Sequence, residues 1–488
     1  MDKIVTSSHW LRSVCRELPQ ARFLKMIPNT PDAAPSIAAQ LASFAHDLEP
    51  GMLPAAVVER AKLLMLDALG IALASSQQDF AHCAYRGLQA LGGAGDSAVM
   101  GTFAPLPLRD AVLMNGILVH GLDFEDTHPG AITHPGASAF SLALGLAAQR
   151  HATGAEMIAA YVLAIEVAAR LGAAARGGFH DVGFHPTGLV GAFGCTLAAG
   201  KLMGLDRAGL EHAQGVVLSM ASGSMEFLSD GAWTKRMHPG WAGVCGLTAP
   251  ALAGAGFRGP SQPYEGRFGL YASHLAARGL QADLSQCTRG LGERWEVLDV
   301  AVKLYPTCHF THASIDAALA LWAAGLRAEE VASVQVLLPQ GVHPVVCEPV
   351  AAKRRPANVY ESQFSIHHLV ALALLRGELG LTELDAANLS DPQVQALADR
   401  IAHVADPEAD TRPSFRANCA CARTMGANCV GVSQCTAARR VNPSRALTSR
   451  PNSCAMRCWR CHAIKRCAGA TPCWRLTGSK TQPPWRAP

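Results

Sequence analysis

From Ser36 to about Leu375 the chain is a succession of apolar segments at helical spacing, interrupted by a few short polar islands. Ser36 to Leu48 reads as a first amphipathic helix and Leu53 to Ser75 as a second. In the second, Pro54 suits the first turn, and Val57, Ala61, Leu64, Ala68 and Ile71 mark one face. Leu108 to Leu122 is apolar on every face, which predicts a buried helix. Ala137 to Arg150 and Gly154 to Leu171 continue the pattern. Leu189 to Met203 adds small residues that permit close helix packing. Asp206 has the character of an N-cap for a helix over Leu210 to Met220, and Ala242 to Ala255 closes the series.

Near residue 298 the texture changes. Leu298 to Leu304 is compatible with a strand, Val331 to Leu338 alternates as one, and Val342 to Val350 is a third candidate. Helices are predicted over Ala313 to Leu326, Gln363 to Leu375 and Pro392 to His403, with a strand beginning at Val404. The expected fold class is therefore mainly α. A large all-helical domain spans 36–297, a smaller α+β lid spans 298–415, and residues 1–35 form a disordered extension.

Residues 416–488 break the pattern, with no hydrophobic period of either kind. They hold thirteen Lys and Arg, no Asp or Glu, and nine of the sixteen cysteines. Removing the thirteen from 42 basic residues leaves 29 against 38 acidic ones, so the formal charge of +4 conceals a main body at −9. Cys454, Cys458, Cys461, His462 and Cys467 suggest a zinc cluster, but their spacings form no paired motif. A basic nucleic-acid arm seldom carries so many cysteines. The preferred reading is a frame slip near codons 410–420, which leaves the lid truncated and the tail disordered and not native-like.

At 488 residues the chain is long enough for two or three domains. Its 49% hydrophobic and 16% charged composition is that of an Ala/Gly/Leu-rich helical enzyme. No uninterrupted apolar run reaches the roughly eighteen residues of a membrane span, and the N-terminus has no apolar signal core. A cytoplasmic protein with no membrane or nucleic-acid partner is expected.

The islands carry the candidate chemistry. Residues 121–136 place Asp123, Glu125, Asp126, Thr127, His128, Thr133 and His134 together in a stretch with two helix-breaking Pro-Gly pairs. Residues 183–188 contain His185, residues 231–240 contain Lys235, Arg236 and His238, and residues 305–312 contain His309 and His312. A histidine beside proline usually caps or packs, but four such islands, each at a helix break, point to one site. Arg and Lys would clamp an anion, and His is the usual proton carrier near neutral pH. No HExxH, no GxGxxG following a strand, no P-loop and no GxSxG motif is present, which leaves acid–base chemistry without metal or cofactor on an anionic, carboxylate substrate.

The segments LDFEDTHPGAITHPGA (122–137), GFHPTGLVGAFG (183–194), WTKRMHPGWA (233–242), KLYPTCHFTHASIDAAL (303–319) and QFSIHHLVALALL (363–375) resemble the MmgE/PrpD family. That family includes 2-methylcitrate dehydratases, cis-aconitate decarboxylases and an iminodisuccinate epimerase. The resemblance implies a helical domain and a lid with the site between them, a homodimer, and no metal or iron–sulfur cluster. It carries functional roles onto Asp123, Thr127, His134, His185, Lys235 and His309. The expected activity is a lyase on a small di- or tricarboxylate, by dehydration or decarboxylation, with epimerisation or a catalytically inactive binding protein as alternatives. Asp123, His134 and His309 would do the proton chemistry. Thr127, His185, Lys235, Arg236 and His238 would hold the substrate, leaving Glu125, Asp126 and His128 as supporting residues. The decarboxylase branch has a lid tyrosine in the pocket, whereas Pro339 to Pro344 here contains none.

Overall fold

A computed structural model describes residues 35–406 and the backbone of two further strands, Phe415–Arg423 and Asn428–Cys435. The extension before residue 35, the proposed cysteine cluster and the rest of the tail lie outside the described residues.

The first layer is helical: α1 (Ile37–Asp47), α2 (Ala55–Ser75), α3 (Asp79–Gly92), α4 (Leu108–His120), α5 (Pro135–Gln149), α6 (Gly154–Ala174), α7 (Pro186–Leu202), α8 (Arg207–Val217) and α9 (Thr234–Gly254). Local signals set the starts. The Ser36 hydroxyl accepts from Ala39 N–H at α1, and the Asp206 carboxylate accepts from Gly209 N–H at α8. Thr153 and Glu156 form a reciprocal capping box at α6. By length and composition α6 could cross a membrane, but 89% of that stretch is buried inside the protein. It is a core helix that also buries Glu166 and Arg170 as a pair.

Helices α4, α7 and α9 pack closely because glycines lie at their contacts, Gly116 against Gly240 between α4 and α9 and Gly246 against Cys195 between α9 and α7. A Cβ on Gly240 would sit 2.3 Å from the Leu113 carbonyl oxygen, and one on Gly116 would sit 2.3 Å from Gly240 Cα. This contact fixes the N-terminal half of α9 against the end of α4, where the 121–136 loop begins.

The second layer has its own core, from Tyr305 to Ile401, built on α10 (His312–Ala323), α11 (Ile366–Arg376) and α12 (Pro392–Ala398). Its sheet contains β1 (Val331–Leu338), β2 (Ile401–Ala405), β3 (Phe415–Arg423) and β4 (Asn428–Cys435), in the order β2-β1-β3-β4. The β1–β2 pair is parallel, and the other two pairs are antiparallel. Ile132, Met225, Leu228 and Ala232 of the helical layer pack on this second core.

Several local expectations need correction. Leu298 to Leu304 forms no strand; it contributes a single bridge, Ala301 to Thr127. Val342 to Val350 folds as helical turns, because His343-Pro344 starts a helix where proline suits the first turn. The strand expected at Val404 begins at Ile401. The island at 231–240 is largely the first turns of α9, with Pro239 inside the helix. The lid does not end at 415 either, because β3 and β4 complete a four-stranded sheet. In sequence, Ala417, Cys419 and Cys421 alternate with Asn418, Ala420 and Ala422, without the apolar–polar contrast that marks a strand. Pairing with β1 supplies the order instead.

Candidate active site

The 121–136 loop joins α4 to α5 and is held in strain. Asp123 and Ile132 have φ of +50° and +52°, a region that disfavours side chains, above all β-branched ones. Such residues cluster where surrounding contacts over-determine the backbone, often at sites. The contact here is Lys303, whose Nζ donates to both the Asp123 carbonyl oxygen (2.9 Å) and its Oδ1 (2.7 Å). Lys235 Nζ donates to the same Oδ1 at 2.7 Å. All three residues are buried. Burial pushes the Asp123 carboxyl up, but the two ammonium groups outweigh it and hold it well below the usual carboxylate range.

Three residues away, Asp126 has the opposite environment. Burial raises it to about 7, and its Oδ1 accepts from the Gly136 N–H at 3.0 Å. A Cβ at Gly136 would lie 2.0 Å from its other oxygen, so glycine is required there. Asp126 thus supports the start of α5. The adjoining His134 Nδ1–H donates to the Asp126 carbonyl at 2.8 Å, which leaves Nε2 as the basic nitrogen. Burial, then Lys303 and Lys235, push the His134 pKa well below the ordinary value, so the ring is neutral.

Around His134 stand His120, His185 and His309, with ring centroids 5.5, 6.0 and 5.8 Å away. His309 comes from the second layer, at the helical turn before α10. Burial lowers the pKa of each of these rings. His120 Nδ1 lies 2.7 Å from Glu125 Oε1. Burial raises Glu125, but His120 and Lys303 pull it below its usual range, so it is ionised. His185 and His238 share one proton between Nδ1 atoms 3.0 Å apart. Two buried carboxylates and two lysines thus balance in charge, beside several neutral imidazoles.

Of the residues expected at the site, His134, His185, Lys235 and His309 line one small cavity together with His180, and Asp123 is bonded to Lys235. The cavity is about 20 Å³, room for one water and no more. His238 is buried beside it and also lines an adjoining open cleft of about 430 Å³; Phe227 lines both. Two residues are elsewhere. Thr127 makes paired backbone hydrogen bonds with Ala301, and its hydroxyl donates to Thr133 O. It clips the loop to the start of the second layer. Arg236 donates from Nε to the Gly121 carbonyl at 2.7 Å and lies between Phe80 and Tyr360, 4.4 and 3.8 Å from their ring centroids. On a helix, consecutive side chains point about 100° apart, so Lys235 and Arg236 cannot both face the cavity. As expected of a support, His128 accepts from Ala131 N–H at Nδ1 and pairs with Glu296 through Nε2.

Sequence reasoning missed Lys303, His120 and His180. Lys303 had a signal: it is the lone charge in the apolar run from Val300 to Tyr305. A buried lysine needs a partner.

The MmgE/PrpD N-terminal domain matches residues 39–283, and the MmgE/PrpD C-terminal domain matches residues 305–429. The chain belongs to the MmgE/PrpD family. The C-terminal match runs past residue 415 and into β4, which agrees with the four-stranded sheet. The chain is 28% identical over 396 residues to a cis-aconitate decarboxylase of Homo sapiens, covering 78% of each protein. It is 26% identical over 397 residues to a cis-aconitate decarboxylase of Mus musculus, again covering 78% of each. To a cis-aconitate decarboxylase-like protein of Aspergillus oryzae it is 24% identical over 398 residues, covering 78% of this chain and 82% of that one.

Proposed function

We propose that this MmgE/PrpD protein is a lyase that acts on a small di- or tricarboxylate without a cofactor, and that decarboxylation of a cis-aconitate-like substrate is its reaction. One observation carries the reading: a neutral imidazole, His134, with Nε2 left as its basic nitrogen, beside a lysine pair and across from a histidine of the second layer. The names of the relatives favour decarboxylation over dehydration.

A substrate carboxylate would bind at Lys235, with imidazole N–H groups as further donors. Loss of carbon dioxide breaks a carbon–carbon bond and leaves its electron pair on the carbon, delocalised into a neighbouring unsaturated carboxylate. That carbon then takes a proton. His134 and His309 would supply it once protonated. Burial and Lys303 keep both rings neutral in this structure. A bound polycarboxylate reverses the local field, so the rings gain their proton as substrate arrives. The pocket must open to admit the substrate, and closure would then exclude water and strengthen these charge contacts.

The test is turnover of cis-aconitate, 2-methylcitrate and citrate, with carbon dioxide and alkene absorbance followed together. Carbon dioxide release from cis-aconitate is expected. His134→Asn should lower kcat by about 10²–10⁴-fold at unchanged helical content. No turnover of any of the three by folded protein would reject the lyase reading. Water loss or gain without carbon dioxide would replace decarboxylation with dehydration. The resemblance also supports a homodimer, which light scattering of the purified protein would check.

A further inference from the structure

The second layer carries another group of imidazoles, which the proposed reaction does not use. His343 opens a helical turn, Glu348 follows just after it, and His403 lies in the middle of β2. Ligand atoms of these three residues all lie within 4.8 Å of one another. The His343 and His403 rings meet edge-on at 4.8 Å, and His403 Nε2 is 4.0 Å from Glu348 Oε1. His343 is only 9% exposed, yet its Nε2 has no hydrogen-bond partner among the described residues. A buried ring nitrogen in that state destabilises the fold unless something occupies it.

We propose that His343, Glu348 and His403 bind a divalent transition metal, with Zn²⁺ the best match. Two imidazoles and one carboxylate are a donor set that suits zinc and leaves a fourth position for water. Calcium and magnesium prefer oxygen donors throughout. The one carboxylate supplies the negative charge that draws a cation to the group. Lys353 and Arg354 are close by, but they donate to the carbonyls of Val345 and Ile401 and leave Glu348 unclaimed. Behind the site, His403 Nδ1 lies 3.4 Å from Nε2 of the fully buried His367. A hydrogen bond there fixes the His403 tautomer that presents Nε2 to a metal, the usual arrangement behind a ligating histidine. Tetrahedral zinc spaces its ligands about 3.3 Å apart, given bonds of roughly 2.0–2.1 Å. The group therefore has to close a little, which the half-exposed Glu348 side chain can do. The metal would pin the 343–346 turn to β2. Val345 of that turn lines the active-site cavity, so the site lies directly behind its wall.

The test is zinc content and affinity of the full-length chain, dialysed against ZnCl₂, with His343→Ala, His403→Ala and Glu348→Gln in parallel. Every protein carries the same cysteine-rich tail, so the difference between them isolates this site. His343→Ala and His403→Ala should each bind one zinc fewer per chain. Glu348→Gln, at a side chain too exposed to threaten folding, should weaken that zinc at least tenfold. Wild type with its accessible thiols alkylated should keep one zinc. Unchanged zinc in Glu348→Gln and in the folded histidine variants overturns the proposal, as does loss of all zinc on alkylation.

Discussion

Two groups of histidines and acids, one fully buried and one partly exposed, are built for opposite charges. In the active-site pocket, Asp123, Glu125 and His134 bring ligand atoms within 4.8 Å of one another, as His343, Glu348 and His403 do behind it. The difference is the lysines. In the pocket, Lys235 and Lys303 both bond Asp123 at 2.7 Å, so cations already occupy the place a metal would take. What is left for a ligand is a lysine face and neutral imidazoles, which suit an anion. In the second group, no lysine or arginine among the described residues is bonded to Glu348, and the nearby cations are bound to backbone carbonyls. Residue type does not separate the two groups; the cation that reaches the carboxylate does.

The sharpest way to break this contrast is to remove a lysine. Lys303→Met leaves Asp123 buried with Lys235 alone and takes the donor from its strained carbonyl. Breaking a buried pair destabilises by about 3–5 kcal/mol, and the remaining lysine places this case near 3 kcal/mol. Urea denaturation would show that loss, and lyase turnover should fall at least a hundredfold. A variant of wild-type stability and activity would mean that Asp123 does not need its second cation.

How much of this was legible beforehand follows from the reach of each interaction. The helices showed because their apolar positions repeat every three or four residues, and Asp206 showed because a cap acts within one turn. Asp123, His134, His185 and Lys235 showed because polar groups crowd at breaks in an apolar chain. Lys303 stayed hidden because its partner is set by the fold: it meets Asp123 across 180 residues. His120 stayed hidden because it ends an apolar helix, just before the polar island that holds its partner Glu125. Arg236 was misread because the island was taken for a loop, where neighbours can point together; the helix that starts at Thr234 separates them. Strands β3 and β4 were missed because their small residues alternate without contrast.

The pH dependence of stability tests the claim that the pocket rings are neutral. His120, His134, His185 and His309 all have folded-state pKa values below the unfolded value, as do His238 and His312, pushed down to about 3. A lowered histidine pKa means the unfolded chain binds more protons. Stability from these groups is therefore present above pH ~6.5 and lost as pH falls below it, at up to about 1.4 kcal/mol per pH unit for each group. Asp126 and Glu166 oppose this, since both are raised to about 7 and contribute stability that fades as pH rises from about 4 to 7. The histidines outnumber them, so urea midpoints should drop steeply between pH 6.5 and 5. A flat profile there would mean the rings are charged, and the picture of a pocket waiting for an anion would fail.

Arg236 should give the smallest effect on turnover and is the finest test of which cation faces the substrate. Its guanidinium is held by the Gly121 carbonyl and between two aromatic rings, on a side of α9 turned away from the cavity. Arg236→Lys keeps the charge but loses the planar stack, worth about 1–2 kcal/mol where it is desolvated. Stability should fall by about that much while KM changes less than about threefold, since 1.4 kcal/mol is a factor of ten and no substrate contact is being removed. Lys235→Met should do the reverse in kind, raising KM strongly. If Arg236→Lys raised KM as much as Lys235→Met does, both cations would reach the substrate, and the helical start of α9 at Thr234 would have to unwind when substrate binds.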